Sequence, residues 1–356
     1  MYDAQIISIE NSLCQKLALS ATFRMKTRYA VRLILRNFRV RHGQAYYKLV
    51  ERSFFWINGQ YAYGLAGTKS AKSTRSLHKF YSFFTIFPLL KLNLVDMPDQ
   101  YIHAEVLLEL YEQSCEKKYL PLVHQAANSL INEVKQHGNI LRYGNGTKAY
   151  IDTLGMITEF CYHYAQVFGE YSLTKIAEDQ MDFFISASKV NGNFYPYHAY
   201  DIASNGKEHA GNNSWGRGIG WYLLGLGACV ENNAEKYSEI YRKTILNVFS
   251  EQNIDGFLFE DMRTRERVDT STTSMAALSL YAGLKAKVFQ GDEKSRAEEY
   301  LNKAVAALIS ATTEDGKVLF CSGECGGANA YSKEYGDYYA QGYTLRLLTQ
   351  LERNGV

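Results

Sequence analysis

Polar and hydrophobic positions alternate along this chain in a unit that recurs four times. Each unit opens with a glycine among polar residues, continues with a short apolar run and a polar loop, and leads into helical apolar spacing. The four glycines are Gly138, Gly192, Gly256 and Gly316, with steps of 54, 64 and 60 residues. The first helices of the units are predicted at 149–168, 216–231, 271–288 and 336–352, and second helices at 172–188, 235–251 and 293–312. The repeated unit is therefore a helical hairpin with a short extended piece.

The rest of the chain supplies further hairpins. Residues 101–115 and 118–136 form one predicted pair, and 12–38, 44–66 and 74–90 provide the others. The period exceeds the roughly 34 residues of a tetratricopeptide repeat. About six hairpins of this size close into a ring, with inner helices around a cavity and outer helices covering them. We therefore predict an all-α fold, an (α/α)6 barrel formed by one domain over residues 1–356, with the loops ahead of the inner helices meeting at one mouth.

Composition is that of a globular protein with an aromatic-lined cleft. Of 356 residues, 46% are hydrophobic and 21% charged, with 28 tyrosines, 18 phenylalanines and four prolines. The net charge of +2 gives no indication of a nucleic-acid partner. The segment at about 11–52 is the exception, because no acidic residue occurs from 11 to 50. Two interpretations stay open for this segment. It either contacts a polyanion or an anionic membrane surface, or it forms a helix face exposed to solvent.

Targeting and metal signals are missing from the sequence. The amino terminus lacks a basic region followed by an apolar one, and the apolar stretches fall short of a bilayer span. We therefore expect a cytoplasmic protein with no integral membrane segment. The six cysteines are scattered, and Cys321 and Cys325 have no second pair to complete a zinc site. We expect no metal.

One glycine-rich segment is especially informative for function. It reads Ser214-Trp215-Gly216-Arg217-Gly218-Ile219-Gly220-Trp221 and runs into an apolar, helix-like stretch. Glycines would let two tryptophans and a guanidinium approach a ligand closely, as recognition of a sugar carboxylate requires. The alternative is a tightly packed glycine-rich helix with Arg217 in a structural ion pair.

Further candidates precede or flank the other predicted inner helices, where loops should converge. Asp152 stands beside Tyr150 and ahead of an apolar segment, so partial burial there would favour the protonated form of a general acid. Tyr197 and His198 lie in an aromatic loop, although His198 suits a structural role equally well. Asp269 is at least as good a helix N-cap as a ligand contact, because three hydroxyl residues follow it. Carboxylates, a histidine and aromatic faces together suit sugar chemistry.

Together these segments resemble glycoside hydrolase family 105, the unsaturated rhamnogalacturonyl hydrolases, and more distantly family 88, the unsaturated glucuronyl hydrolases. The similarity covers about residues 95–352. The motifs that carry it are Tyr150-Ile-Asp152-Thr-Leu-Gly-Met, Tyr197-His198-Ala-Tyr-Asp201, Trp215-Gly-Arg217-Gly-Ile-Gly-Trp221, Asp269-Thr-Ser-Thr-Thr-Ser-Met and Tyr331…Asp337-Tyr-Tyr-Ala-Gln-Gly342. The resemblance also implies an (α/α)6 barrel, an acidic oligosaccharide substrate and no metal or organic cofactor.

The resemblance implies an unusual reaction. Family members hydrate the C4=C5 double bond of the 4,5-unsaturated uronic acid that polysaccharide lyases leave at a non-reducing end. Asp152 would donate a proton to C4 and help water add at C5, and the hemiketal would open to release the rest of the sugar. His198 would assist binding or proton handling, and the substrate would be held by Trp215, Arg217 and Trp221, with Tyr197 and Asp269 as further contacts.

Two departures from the family pattern concern the second carboxylate and the first segment. The family's Asp-Asp-Ile-Asn-Pro-like stretch reads Val95-Asp96-Met-Pro-Asp99 here, and counting back from Leu110-Tyr111 makes Asp99 the closest match. The basic first 50 residues also differ from the family's usual opening. Two other functions stay open: an inverting glycosidase with Asp152 and Asp99 as acid and base, and a non-catalytic carbohydrate-binding or scaffold protein.

Overall fold

The structure is a computed structural model. It describes residues 2–20, 27, 31, 56–90, 94–95, 98–135, 138–143, 146–192, 194–325, 328, 331–332, 334–336 and 339–355. Asp96, Asp337 and most of the basic segment, from 21 to 55 apart from Thr27 and Val31, lie outside these residues. The assignment of residues 1–356 to one domain therefore stays a prediction.

Twelve α-helices are described, and they alternate between an outer and an inner layer. The outer helices are α1 (Asp3–Ser20), α3 (Ala71–Tyr81), α5 (Leu120–Lys135), α7 (Ser172–Val190), α9 (Ala234–Ser250) and α11 (Gly291–Ser310). The inner helices are α2 (Trp56–Thr68), α4 (Tyr101–Ser114), α6 (Asp152–Phe168), α8 (Gly216–Asn232), α10 (Thr270–Lys285) and α12 (Tyr339–Arg353). Short 3₁₀ helices cover Ser82–Ile86, Pro88–Leu90, Pro98–Gln100 and Lys117–Tyr119.

Burial follows from which layer a helix occupies. Inner helix α4 buries every residue from Tyr101 to Leu110, because other helices surround it. Outer helix α11 buries a single stripe that includes Ala297, Leu301 and Leu308, as expected of an amphipathic helix with one face in water. The sequence pattern therefore separates the two layers.

The inner helices form a closed ring. Each packs against the next in chain order, and α12 packs against α2 to close the circle. Helix α1 packs on α12, α2 and α3 and so completes the outer layer, and the Tyr2 backbone N–H donates to Glu352 at 3.0 Å. The predicted (α/α)6 barrel is confirmed. Helix α1 begins at Asp3, ahead of the 12–38 segment that was expected to supply a hairpin, because Ile9, Leu13 and Leu17 already face the core at helical spacing.

Short strands gather at the end of the barrel where the inner helices begin. Strands β1 (Lys148–Tyr150), β2 (Ala199–Asp201) and β3 (His209–Ala210) form an antiparallel sheet, and β4 (Cys321–Ser322) pairs with β5 (Tyr335–Gly336). The four repeat glycines all have positive φ, between 63° and 93°, which confirms the predicted turns. These turns return the chain from each outer helix toward the mouth.

A buried ionic network ties inner helices together at the opposite end of the barrel. The Arg346 guanidinium of α12 donates to Glu109 of α4 and, at 2.9 Å, to Glu159 of α6. It also lies 3.8 Å from the ring centroid of Tyr63 on α2. Beside this network, His163 bonds Glu105 at 2.7 Å and Glu112 at 2.8 Å. Three inner helices are therefore linked through charges, and α2 joins them through the cation–π contact of Tyr63.

The His163 pair makes stability depend on pH. Burial acts to lower the pKa of His163, but the charges and hydrogen bonds of Glu105 and Glu112 outweigh it and raise the pKa to about 10. Since unfolded histidine titrates near about 6.5, the stabilisation is complete below that pH and is lost as the pH rises through about 10. In thermal melts, we expect the difference in Tm between wild type and His163→Gln to be greatest near pH 6.5 and to shrink toward pH 10. A difference that is constant across this window would contradict the assignment.

The described helices also bear on membrane association. None of them combines the length and the apolar character that crossing a membrane would require. The cytoplasmic location stays a prediction.

Candidate active site

A strand register brings the two leading candidates together. Tyr150 of β1 pairs with Ala199 of β2, and the Ile151 backbone N–H donates to the His198 carbonyl at 2.9 Å. Asp152 follows directly as the first residue of α6. Its carboxylate Oδ2 lies 3.1 Å from His198 Nε2. The sheet therefore places a histidine against the carboxylate predicted to be catalytic.

His198 is enclosed by aromatic rings, and its own side chain is only 4% exposed. Its ring lies 4.3 Å from that of Trp215, 5.4 Å from Tyr150 and 5.7 Å from Tyr331 between centroids. The Tyr331 hydroxyl accepts the Asn212 backbone N–H at 2.7 Å and lies 3.3 Å from His198 Nδ1. This arrangement lets Tyr331 donate to Nδ1, which leaves the Nε2 proton directed at Asp152.

Asp152 itself remains accessible, with 22% of its side chain exposed. Its charge reaches neighbouring tyrosines. Burial raises the pKa of Tyr150, and the charge of Asp152 adds to the rise. Burial chiefly, with Asp152 among the smaller causes, raises the pKa of Tyr331 to about 12. Both phenols therefore keep their protons at neutral pH and can donate to a ligand or to the carboxylate.

Asp99 lies on the same side of the barrel. It sits in the 3₁₀ helix Pro98–Gln100, which packs against α6, and only 8% of it is exposed. The Tyr143 hydroxyl donates to Asp99 Oδ2 at 3.0 Å. Burial, then the charge and hydrogen bond of Asp99, and then the charge of Asp152 raise the pKa of Tyr143. Tyr143 is therefore within electrostatic reach of both carboxylates.

Trp215 forms a wall beside His198, with Arg217 packed against its ring. Trp215 is the N-cap residue of α8 and is 5% exposed. Its ring folds back over Gly218, where a Cβ would lie only 2.5 Å from a ring carbon. This close approach is the reason for glycine at that position. The wall is thus built by the glycine-rich segment predicted to be functional.

The guanidinium of Arg217 already donates hydrogen bonds within the protein and does not present a free pair of N–H groups to a ligand. It donates to the Ser322 carbonyl at 2.7 Å, the Ser322 hydroxyl at 2.8 Å and the Gly323 carbonyl at 2.7 Å. It also lies 3.9 Å from the Tyr339 ring centroid, and the residue is 2% exposed. Arg217 therefore holds strand β4 at the mouth, and its charge reaches Asp152 electrostatically.

Trp221 lies deeper than the sequence suggested. It is 1% exposed, its ring is 5.8 Å from that of Tyr343, and a Cβ on Gly155 would lie 2.4 Å from it. Instead of lining the mouth, it fixes the close approach of α8 to α6 one turn below Asp152. This is the tight packing offered above as the alternative reading of the segment.

Asp269 also takes the alternative role. As the N-cap of α10 it accepts the Ser271 and Thr272 backbone N–H groups, each at 3.1 Å, and both of their hydroxyls at 2.6 Å. It further accepts the Ser322 N–H at 2.9 Å and is fully buried. Because five donors from the chain occupy its oxygens, Asp269 supports the Ser322 contact to Arg217 and offers no surface to a ligand.

Tyr197 lies apart from the Asp152 cluster. Its ring stacks on His209 with centroids 3.6 Å apart and an interplanar angle of 6°. Its backbone N–H donates to the Tyr200 hydroxyl at 3.0 Å. Of the predicted site residues, the structure therefore brings Asp152, His198 and Trp215 into direct contact, with Asp99 and Arg217 next to them.

Removal of the Asp269 carboxylate tests this supporting role. Asp269→Ala leaves buried N–H and hydroxyl donors without an acceptor, so we expect unfolding free energy to fall by about 2–4 kcal/mol. Asn233→Ala removes the N-cap of outer helix α9, an exposed contact to Lys236, and should cost under about 1 kcal/mol. Urea unfolding measures both variants. Equal losses would contradict a specific role for Asp269.

Two residues of the site were not singled out from the sequence. Tyr143 ends the aromatic run after Gly138, and that run was interpreted only as part of the repeat. Tyr339 belongs to the last resembling motif, but its contact with Arg217 spans over a hundred residues. The recurrence of a tyrosine after the turn glycine was the one available signal for Tyr143.

The described carboxylates that lie close enough together to share a metal ion are far from this mouth. In the part of the chain that the structure describes, three acidic ligand atoms come within 4.8 Å of one another at Glu105, Glu109 and Glu159. Arg346 and His163 already bond these side chains. The donor set is therefore better explained as the ionic network described above.

Solved structures share this architecture. Unsaturated glucuronyl hydrolase from Bacillus sp. GL1, described as responsible for degradation of glycosaminoglycan, superposes with a TM-score of 0.69 at 16% identity over 84% of this chain and 86% of its own. A possible family 105 member from Salmonella enterica serovar Paratyphi A gives 0.67 at 16% identity over 85% of each chain. A polysaccharide lyase gives 0.65 at 14% identity over 95% and 98%. At these identities the comparison establishes the fold alone.

The family itself is established by sequence. The model of Glycosyl Hydrolase Family 88 matches residues 39–350, which is most of the chain and includes every candidate residue above. The match begins within the basic segment, well before the similarity found by inspection. The predicted relationship to families 105 and 88 is confirmed, and this chain belongs to Glycosyl Hydrolase Family 88 as a glycoside hydrolase.

Proposed function

We propose that the enzyme hydrates the C4=C5 double bond of a 4,5-unsaturated uronic acid and thereby releases it from the non-reducing end of an oligosaccharide made by a lyase. The observation that carries the proposal is the Asp152–His198 pair, 3.1 Å apart, beside Trp215 at the barrel mouth. Its fold neighbours named as unsaturated glucuronyl hydrolases point the same way.

In the proposed reaction one carboxyl group handles both protons. Protonated Asp152 gives its proton to C4, and the positive charge develops on C5 and the ring oxygen. Water then attacks C5 and gives a proton back to the Asp152 carboxylate, which restores the acid. The resulting hemiketal opens, and the leaving sugar departs from C1. No atom or electron has to come from another reagent.

The surrounding side chains suit this sequence. His198 holds the Asp152 carboxylate through Nε2, and Tyr331 fixes the histidine ring from the other side. Asp99, through Tyr143, supplies a second negative charge for the cationic intermediate. We propose that Trp215 covers the uronate ring and that Arg217 favours its carboxylate by charge while holding β4. Trp221, Tyr197 and Asp269 contribute by supporting these positions.

Absorbance at the wavelength of the conjugated double bond gives a direct test. We expect the purified enzyme to bleach at least one member of a panel of unsaturated disaccharides between mild acid and neutral pH. A panel with no loss of absorbance at any pH would overturn the proposal. A non-catalytic carbohydrate-binding protein would bind these sugars without bleaching them.

An inverting glycosidase acting on saturated sugars is the second candidate. Asp99 and Asp152 both act on Tyr143, Asp99 by a hydrogen bond and Asp152 by its charge, and this favours the second candidate, since that mechanism needs two carboxyl groups roughly 6.5–9.5 Å apart. Activity on a saturated uronide would support this candidate. The same assay on matched saturated and unsaturated disaccharides separates the two functions.

A further inference from the structure

A cavity adjoins the candidate active site. Its volume is about 410 Å³, enough for a sugar ring with water around it. Trp215 and Tyr331 line it, and the same two rings pack against His198. Most of the remaining described wall comes from the loop between α9 and α10, which contributes Glu260, Asp261 and Glu266. The cavity therefore adjoins the Asp152–His198 pair through these two shared rings.

The described lining of this cavity is acidic. Glu260, Asp261 and Glu266 contribute three carboxylates, and Arg267 is the single cation among the described lining residues. Arg267 pairs with Glu260 at 3.2 Å. A second arginine, Arg263, reaches the rim through Asn212 at 3.2 Å. Among the residues that the structure describes here, three carboxylates stand against two arginines.

The acidic side chains differ in how many hydrogen bonds the protein makes to them. Burial opposes ionisation of Asp261, but hydrogen bonds from Ser214, Asn212 and the backbone of Arg263 and Thr264 lower its pKa. Asp261 is therefore a fixed negative charge. Glu266 is exposed at the rim and makes no hydrogen bond or ion pair with the described residues, so its carboxylate is available to a ligand.

We propose that this cavity binds the sugar attached to the uronic acid and selects an uncharged or amino sugar over one that carries a sulfate or a second carboxylate. The inference rests on the proposed function. Carboxylates accept hydrogen bonds from sugar hydroxyls and attract a protonated amine, whereas an anionic substituent placed against them is repelled. The loop between α9 and α10 then contacts the leaving sugar and sets the preference for it, whereas the uronate is bound elsewhere in the site.

The test uses three unsaturated disaccharides that differ only in the leaving sugar, which is N-acetylglucosamine, its sulfate ester or glucosamine. Wild-type kcat/KM, followed by absorbance loss, should be at least about tenfold lower for the sulfated sugar than for the other two. Glu266→Gln should raise kcat/KM for the sulfated sugar about three- to tenfold, as expected for one partly screened charge at sugar-length distance. The readout is the ratio of kcat/KM for the sulfated sugar to kcat/KM for the N-acetylated sugar, which should rise in this variant because only the sulfated sugar carries a charge that the carboxylate repels.

A matched control is Glu298→Gln on the outer helix α11, which removes a half-exposed carboxylate far from the mouth and should change none of the three values. Equal or preferred use of the sulfated sugar by wild type, or an unchanged ratio in Glu266→Gln, would overturn the inference and leave the proposed function standing. Failure to consume any of the three would overturn the proposed function itself, and this inference with it.

Discussion

Asp152→Asn should lower kcat/KM on an unsaturated uronide by about 10³-fold, because general acid–base catalysis by a positioned group contributes roughly 10²–10⁴-fold. Asparagine keeps the shape and the contact with His198 but cannot donate a proton to carbon. The loss should appear chiefly in kcat, since the side chain is needed in the transition state more than in binding. Initial rates of absorbance loss measure it.

The matched control for this variant is Asp292→Asn. Asp292 is also an acidic residue in the first turn of a helix, in this case outer helix α11, and it is exposed. Both substitutions replace an acidic side chain in the first turn of a helix, a position where a carboxylate is worth about 0.3–1 kcal/mol of stability. Only the Asp152 variant should lose activity. Retention of a tenth or more of wild-type kcat by Asp152→Asn would show that another group delivers the proton.

Arg346→Met should lower the unfolding free energy by about 3–5 kcal/mol, the range for breaking one side of a buried ion pair. The substitution leaves the buried Glu109 without its cation beside the partly exposed Glu159, and Glu105 adds a third carboxylate within 4.8 Å. It also removes the guanidinium from the face of Tyr63. Urea unfolding followed by circular dichroism measures the loss.

Two further variants show whether the cause is the unpaired charge. Arg242→Met breaks a surface pair with Glu293, where both side chains are about a third exposed, and should cost at most about 1 kcal/mol. Adding Glu109→Gln and Glu159→Gln to Arg346→Met should recover part of the stability, because the uncompensated charges are removed. If the triple variant is no more stable than Arg346→Met, packing and not charge holds this end of the barrel.

The ring of hairpins follows from local sequence signals. The positive φ angles of Gly138, Gly192, Gly256 and Gly316 show that each repeat glycine lies in the turn that the sequence pattern predicts for it. Helical spacing distinguishes inner from outer helices because only the inner ones are covered on every side. The start of α1 was missed, since its few buried residues carry a weak apolar pattern.

The sequence could show which residues stand in loops ahead of the inner helices, but it could not show which of them contact one another. The contact of Asp152 with His198 depends on the register of strands three residues long, too short to leave a period in the sequence. Arg217 was expected to face a ligand, but its direction is set by Ser322, more than a hundred residues away. Asp269 could be assigned as an N-cap because the hydroxyl residues that it binds are its immediate neighbours.

The fold does not by itself decide the reaction, because a polysaccharide lyase shares it. Proton NMR of turnover in D₂O tests the central claim most directly. The account predicts that the vinylic C4 proton signal disappears in step with release of the leaving sugar, and that the first product molecules carry deuterium at C4. Release of a uronic acid that retains its vinylic proton would contradict it, because the anomeric bond would then have been cleaved without hydration of the double bond.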